Sequence, residues 1–438
     1  MIRRWSIYGL LAAAAAFVQI HPAAAESTAV SPPFPRLGGY LIGSPQDYSN
    51  PAYAAQIARL NFAVLTVWPG WAGSNGMDMQ QAVSAIKAIN PREIIVLYNN
   101  INELQSPPSP AFAAVGTQLN NNGWWLYRTG DSGSIVPSSF GGGYYEINTT
   151  PYSTTNSRGQ HYIDWRAAWE VANFSTPNPA IDGFYTDNVF WSPRVNGDWR
   201  RTGAADSDSS ASAQTWYRQG FAQYFRDLKA AMPGKYQTGN IADWGKPDAT
   251  FPEYQQMLQG GLMEGMIGFS WSFETQGWQQ MMAAYAKMMA AIARPQLVIF
   301  HQNGSPADYR GFRYGLASCL MGNAYFWYDH GSYSGVNWFD EYNAALGPAT
   351  SAALPARAWQ KGVYRRDFQN GIALVNPKGN GTQTVTLETS YRHLSGKQAP
   401  SVNNGQTVTS VTLEDRDGII LLRTLAQPVP DPPTLSVH

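Results

Sequence analysis

The stretch Ile181-Asp-Gly-Phe-Tyr-Thr-Asp-Asn-Val189 is an apolar, aromatic run that stops abruptly at an acid and an amide. A fully buried strand reads as a near-continuous apolar run. In a barrel of parallel strands, the polar residue at its C-terminal end faces the catalytic mouth. Gly260-Gly-Leu-Met-Glu-Gly265 repeats the pattern downstream, with Glu264 as the closing acid. Two carboxyl groups delivered by separate strands to one mouth suit glycosidic bond hydrolysis. One protonates the leaving oxygen, and the other attacks the anomeric carbon or activates water.

Working outward, similar runs recur along the chain. Phe62–Trp68, Ile94–Tyr98 and Trp124–Tyr127 read as the first three strands, and Ile181–Tyr185 as the fourth. Tyr236–Asn240, Gly261–Met263, Leu297–His301 and Ala324–Tyr328 complete a set of eight. Between them, apolar residues return with helical spacing. Ala54, Ile57, Ala58 and Leu60 form one stripe, and Ala82, Val83, Ile86 and Ile89 another. Trp165, Ala168, Trp169 and Ala172 form a third, and Tyr217, Phe221, Tyr224, Phe225 and Leu228 a fourth. Met281, Met282, Tyr285, Met288, Met289 and Ile292 form a fifth, with the methionines as core filler. Strands alternating with helices predict an α/β fold, a (β/α)8 TIM barrel over residues 36–357. A doubly wound sheet would carry a phosphate-binding glycine turn after its first strand. Gly141-Gly-Gly143 lacks the strand and helix flanks for that role. Past Arg357 the period shortens to that of strands, predicting a small C-terminal antiparallel β-sandwich over 358–425. A Pro-rich tail follows over 426–438.

Composition narrows the partners. Thirty Lys and Arg balance thirty Asp and Glu, so no basic field exists for a nucleic acid backbone. A neutral polysaccharide or oligosaccharide needs no such field, and 16 Trp and 24 Tyr supply flat surfaces for sugar faces. At the start, Arg3 and Arg4 precede an apolar stretch from Tyr8 to Ile20, and Ala23-Ala-Ala25 precedes Glu26. This predicts a secretory signal over 1–25, an irregular mature start over 26–35, and a periplasmic or extracellular protein. No transmembrane partner is implied. The one cysteine, Cys319, cannot form an internal disulfide and reads as buried packing. No His-Glu-x-x-His, paired-Cys or Gly-x-Ser-x-Gly pattern points to a metal, cofactor or esterase elbow.

Asp187 is expected as nucleophile or general base. Glu264 is expected as the acid, its pKa raised by Leu262, Met263 and Met266. Glu274, on the loop after the same strand, and Asp329, after the eighth, are the alternative catalytic candidates. Asp182, deeper in its strand, reads as a backbone anchor. Asn99, Asn100, Arg128, Asn188, Asn240, Asp243, His301, Gln302 and His330 fall near strand ends as sugar-contact candidates. Trp68, Trp71, Trp191, Trp244 and Trp271 are the aromatic ones, and the long segment 129–160 borders the cleft.

Asp182-Gly-Phe-Tyr-Thr-Asp-Asn188, Gly261-Leu-Met-Glu264, Phe312-Arg-Tyr-Gly-Leu-Ala-Ser318 and Ala324-Tyr-Phe-Trp-Tyr-Asp329 occur in that order. With Trp338-Phe-Asp-Glu-Tyr342, Leu346-Gly-Pro348 and Asn370–Pro377, they give a chain that resembles the hypothetical glycosyl hydrolase family 15-like proteins. The resemblance implies a barrel hydrolase with a C-terminal β domain. The chain is also similar to α-galactosidase-like barrels, which place acids at the fourth and sixth strands. Glu264 stands where those enzymes often have Asp. A non-catalytic carbohydrate-binding or envelope scaffold on the same fold is the competing expectation, followed by a polysaccharide lyase.

Overall fold

The computed structural model describes residues 32–130 and 133–424. The expected signal segment, the first residues of the mature start and the Pro-rich tail lie outside the described residues. Eight parallel strands form one sheet in chain order. They are β1 (Gly38–Leu41), β2 (Phe62–Leu65), β3 (Ile94–Asn99), β4 (Gly183–Thr186), β5 (Tyr236–Asn240), β6 (Gly260–Ile267), β7 (Leu297–Asn303) and β8 (Tyr325–Asp329). The sheet closes where Leu37 bridges Phe326, with the Phe326 N–H donating to the Arg36 carbonyl at 2.8 Å. The fold is a TIM barrel with a C-terminal antiparallel β domain.

Two expectations about the strands fail in compensating ways. Trp124–Tyr127 is not in the barrel; Trp125 bridges Ile147 and Tyr127 bridges Ile135, inside the long β3–β4 connection. The true first strand is β1, which begins with Gly38-Gly39. There the glycines serve close packing. A Cβ on Gly38 would lie 2.9 Å from Ile299 Cγ1, and one on Gly39 would lie 2.7 Å from Leu60 Cδ1. One strand lost and one gained leave the fourth to eighth positions as expected.

Among the described residues seven α-helices flank the strands: α1 (Pro51–Ile57), α2 (Met79–Ile89), α3 (Ala113–Asn122), α4 (Tyr162–Glu170), α5 (Ala211–Ala231), α6 (Trp278–Ala291) and α7 (Tyr309–Leu320). The stripe of Tyr217, Phe221, Tyr224, Phe225 and Leu228 is the buried face of α5. On α4 the buried face is turned from the expected one. It holds Tyr162, Ile163, Ala167 and the ion pair Arg166–Glu170 (2.6 Å), while Ala168 is exposed. Arg166 also donates to the Asn100 carbonyl at 3.0 Å, so this buried cation braces the end of β3. Charged residues carry no apolar signal, so periodicity misplaced the face.

The C-terminal strands are β9 (Tyr364–Phe368), β10 (Gly371–Asn376), β11 (Gln383–His393), β12 (Thr407–Leu413) and β13 (Asp417–Arg423), paired antiparallel in the order β9-β10-β13-β11-β12. A register shift within β11, between Thr386 and Tyr391, bends the sheet around its own core of Ile372, Leu374, Val385, Val411 and Leu421. The opposite face, with Ala373, Val375 and Ile420, joins the barrel's outer core. Cys319 is buried on α7.

Candidate active site

Strand parity decides which side chains reach the mouth. Successive residues of a strand point to opposite faces. Val64, Val96, Tyr185, Leu262, Ile299 and Trp327 form the core inside the barrel. Their neighbours Ala63, Leu97, Phe184, Met263, Phe300 and Phe326 belong to the core beneath the helices. Two residues past Tyr185 is Asp187, and two past Leu262 is Glu264. Both therefore inherit the inward direction just where their strands open.

They line one cavity of about 690 Å3, with Tyr40, Glu103, Asn188, Asn240, Asp243, Trp271 and Tyr333 among its walls. Tyr98 donates its hydroxyl proton to Asp187 Oδ2 at 2.9 Å, and the Asn188 N–H donates to Oδ1 at 2.9 Å. Asn188 holds a left-handed backbone, φ 56°, which turns the chain sharply after the acid. Glu264 accepts from Asn240 Nδ2 and from the Tyr333 hydroxyl, each at 3.0 Å. The Asn240 side chain also favours the charged form of Asp187, so one amide acts on both carboxyls. Burial, then the charge of Glu264, push the Asp187 carboxyl up from 3.8 to about 6, against the lowering pull of its donors.

The support is built from the barrel itself. The Asp187 N–H donates to the Asn99 carbonyl at 2.8 Å, and Asn99 Nδ2 donates to the Tyr224 hydroxyl at 2.7 Å. Asp329 accepts from the Gly331 N–H at 2.7 Å and the Tyr333 N–H at 3.2 Å. It thereby fixes the turn that aims Tyr333 at Glu264. His301 is wholly buried and stacked on Trp327 with centroids 4.5 Å apart. Burial lowers its pKa to about 3, so it is a neutral ring, and its Nδ1 accepts from the Gly265 N–H at 3.3 Å.

Trp271 is 57% exposed yet firmly held. Its ring lies parallel to Phe269 at 4.7 Å and 4°. Its other support is Gly265, φ 66°, where a Cβ would sit 2.0 Å from the indole. Only glycine gives both that backbone and that contact. The result is an open aromatic platform immediately after Glu264.

Of the sequence candidates, the cavity gathers Asp187, Glu264, Asn188, Asn240, Asp243 and Trp271. The others serve elsewhere. Glu274 is buried and pairs with Arg416 of the C-terminal domain, Oε1 to Nε 2.6 Å and Oε2 to Nη2 3.2 Å. Trp244 is fully buried between Phe251 and Tyr254, its indole N–H on the Val189 carbonyl at 2.8 Å. Trp71 is buried against Tyr48. Trp68 packs half-buried on the core, and Trp191 gives its carbonyl to Arg218 at 2.5 Å. Gln302 is buried with its amide on the Gly311 carbonyl at 2.8 Å. Asn100 donates to Glu103 at 3.0 Å, one step behind the wall. Arg128 is exposed, and His330 sits edge-on to Tyr328; neither lines the cavity. Asp182 anchors backbone as expected, accepting from the Ile95 N–H at 2.8 Å and Lys87 at 2.6 Å.

Sequence reading missed Tyr40, Tyr98, Glu103, Arg194, Lys246 and Tyr333. Parity along Ile94–Asn99 could have found Tyr98, since it alternates in step with Ile94 and Val96. Nothing local marks Glu103, which comes to the wall on a ribbon with Tyr144–Glu146. Asp243 is held by Arg194 at 3.3 Å and by Lys246, placing an ion triplet in the cavity wall. Among the described residues no cluster of three His, Cys, Asp or Glu side chains is placed to hold a metal ion.

A TIM barrel that presents two carboxyls across one cleft at the ends of β4 and β6 has the layout of a glycoside hydrolase. The sequence model of Hypothetical glycosyl hydrolase family 15 matches residues 87–372, well over half of the chain, and the chain belongs to that family. It is a glycoside hydrolase, and its substrate is a carbohydrate. No curated protein matches at the sequence level. Solved structures with similar shape include an Anoxybacillus α-amylase, 9% identical with a TM-score of 0.48, covering 92% of this chain and 100% of that one. The glycoside hydrolase domain of PelA from Pseudomonas aeruginosa is 12% identical with a TM-score of 0.40, covering 69% and 97%. A Geobacillus stearothermophilus α-galactosidase, AgaA, is 10% identical with a TM-score of 0.44, covering 90% and 55%.

Proposed function

We propose that Asp187 and Glu264 are the catalytic pair of a secreted enzyme that cleaves α-linked polysaccharide or oligosaccharide. The observation that carries this reading is the pair itself: two carboxyls in one cleft, Glu264 bonded by Asn240 and Asp187 by Tyr98. Burial and the neighbouring Glu264 carboxyl push Asp187 up to about 6, which suits it to serve as the leaving-group acid. Glu264, set among donors from Asn240 and Tyr333, is the base or nucleophile. This reverses the roles expected from sequence. Of its apolar neighbours, Met263 and Met266 belong to the core beneath the helices, and Leu262 lies on the inward face with Glu264.

Trp271 takes a sugar face beside Glu264. Glu103, Asp243 and Arg194 offer charged partners for hydroxyls around it. The α-linkage rests on the placement of the acids at the fourth and sixth strands, shared with α-galactosidase-like barrels. Export rests on the charged, apolar and small-residue order of residues 1–25.

The test is hydrolysis of matched α- and β-linked glycans, with the anomeric form of the first product followed by NMR. Cleavage of α-linked substrates is expected. Cleavage confined to β-linked ones would overturn the linkage but not the class. Fractionation of cells expressing the full chain tests export, with retention in the cytoplasm as the contrary result.

A further inference from the structure

Gln276 lines two cavities. One is the catalytic cleft; the other, of about 490 Å3, lies between the start of α6 and the C-terminal β domain. The side chains around this second space include four amides, Gln276, Gln279 and Gln280 from the barrel and Asn380 from the β domain, with Lys378 the one charged group. The three glutamine side chains are exposed and make no hydrogen bond to side chains or backbone of the described residues. An amide that both donates and accepts matches a sugar hydroxyl, which does the same.

The floor of this space is rigid. Trp278 is 5% exposed, packs at a 45° tilt on Tyr364 with centroids 4.3 Å apart, and donates its indole N–H to Ser318 at 2.9 Å. The wall shared with the cleft is the β6–α6 loop that carries Trp271, Phe273 and Gln276. The pair of buried Glu274 with half-buried Arg416 ties that loop to the C-terminal domain. Arg416 itself adopts φ 56° and lies over the Tyr314 ring at 4.9 Å. A side chain held in a strained backbone and a bidentate ion pair fixes the position of the loop relative to both domains.

We propose that the catalytic cleft continues past Gln276 into this interdomain groove. There it binds the flanking sugars of a polymeric, largely uncharged glycan. The C-terminal domain is then part of the substrate-binding surface, and the enzyme acts on long chains. This inference rests on the hydrolase reading of the cleft.

The test is a Gln279→Ala, Gln280→Ala, Lys378→Ala variant, none of these residues being in the catalytic machinery. It is assayed on the soluble polysaccharide that the parent degrades, and on short size-fractionated fragments of it. Losing one or two net hydrogen bonds should lower kcat/KM on the polymer by about tenfold. Cleavage of the short fragments should be unchanged, with the melting temperature retained. An unchanged rate on the polymer, or equal losses on both lengths, would overturn the groove. If the parent degrades no polysaccharide, the hydrolase reading fails instead. The groove is then judged by retardation in native gels cast with soluble α- and β-linked polysaccharides. Retardation lost in the variant supports it, and retardation that is absent from the parent or unchanged in the variant overturns it.

Discussion

Replacing Tyr98 by Phe removes a single oxygen from the site. The ring remains, stacked on Tyr185 at 6.0 Å and edge-on to Tyr40 at 6.2 Å, so the barrel core keeps its packing. What disappears is the 2.9 Å hydrogen bond to Asp187 Oδ2. A hydrogen bond to a charged group contributes about 1.5–3 kcal/mol, and one pKa unit is about 1.4 kcal/mol, so the loss is worth about 1–2 units. The sign follows from which form the bond favours. Tyr98 stabilises the carboxylate, so its removal raises a pKa already pushed up to about 6. If Asp187 works as the acid, activity falls as pH rises through that pKa. The alkaline limb of the kcat/KM profile should then move upward by about 1–2 units. The assay is that profile for parent and Tyr98→Phe on one substrate. An alkaline limb that stays in place would refute the assignment of the proton to Asp187. Upward movement of the acidic limb instead would make Asp187 the base or nucleophile and hand the proton to Glu264.

Three further outcomes are expected. Asp187 is raised when folded from 3.8 to about 6, so the folded state binds the extra proton and its stability falls as pH climbs through that window. Asp187→Asn should therefore be more stable than the parent by about 1–3 kcal/mol at pH 8 and lose that advantage by pH 4, read by urea melts; a variant less stable at pH 8 would contradict the burial of the charge. Trp271→Ala should raise KM about two- to tenfold with kcat little changed, the worth of one aromatic contact, read by initial-rate kinetics; a fall in kcat alone would remove Trp271 from ground-state binding. Arg416→Ala, which leaves Glu274 buried without its partner, should destabilise the protein by about 3 kcal/mol, while Glu274→Gln keeps kcat; a Glu274→Gln protein that folds and is inactive would return Glu274 to the chemistry.

The parts of the fold that sequence reveals are those governed by local pattern. Apolar runs closing in acids located β4 and β6, and the stripe on α5 located its buried face. β1 stayed hidden because Gly38 and Gly39 are there to let neighbouring side chains approach, which is a tertiary demand with no local signature. Trp124–Tyr127 has strand composition and is extended, but it pairs inside the β3–β4 connection. Composition does not say which sheet a strand joins. The same limit governs the site. Asp187 and Glu264 were legible because strand ends in a barrel converge. Glu274 looks equally acidic and equally near, yet its loop turns it toward Arg416, more than a hundred residues away in the chain. Trp244 and Trp271 are the same residue type on neighbouring loops. One is fully buried between two rings, and the other stands open because Gly265 lets it rest beside Glu264. Tyr333 is invisible from its own neighbourhood, since Asp329 fixes its turn and its partner lies on β6.

The most direct test of the central claim is reducing-end release from a broad glycan panel by the parent, Asp187→Asn and Glu264→Gln, with circular dichroism and melting curves on each. The account predicts release by the parent and a fall of at least about a hundredfold in both variants, each still folded. Parent-level release from either folded variant would contradict the assignment of the catalytic pair.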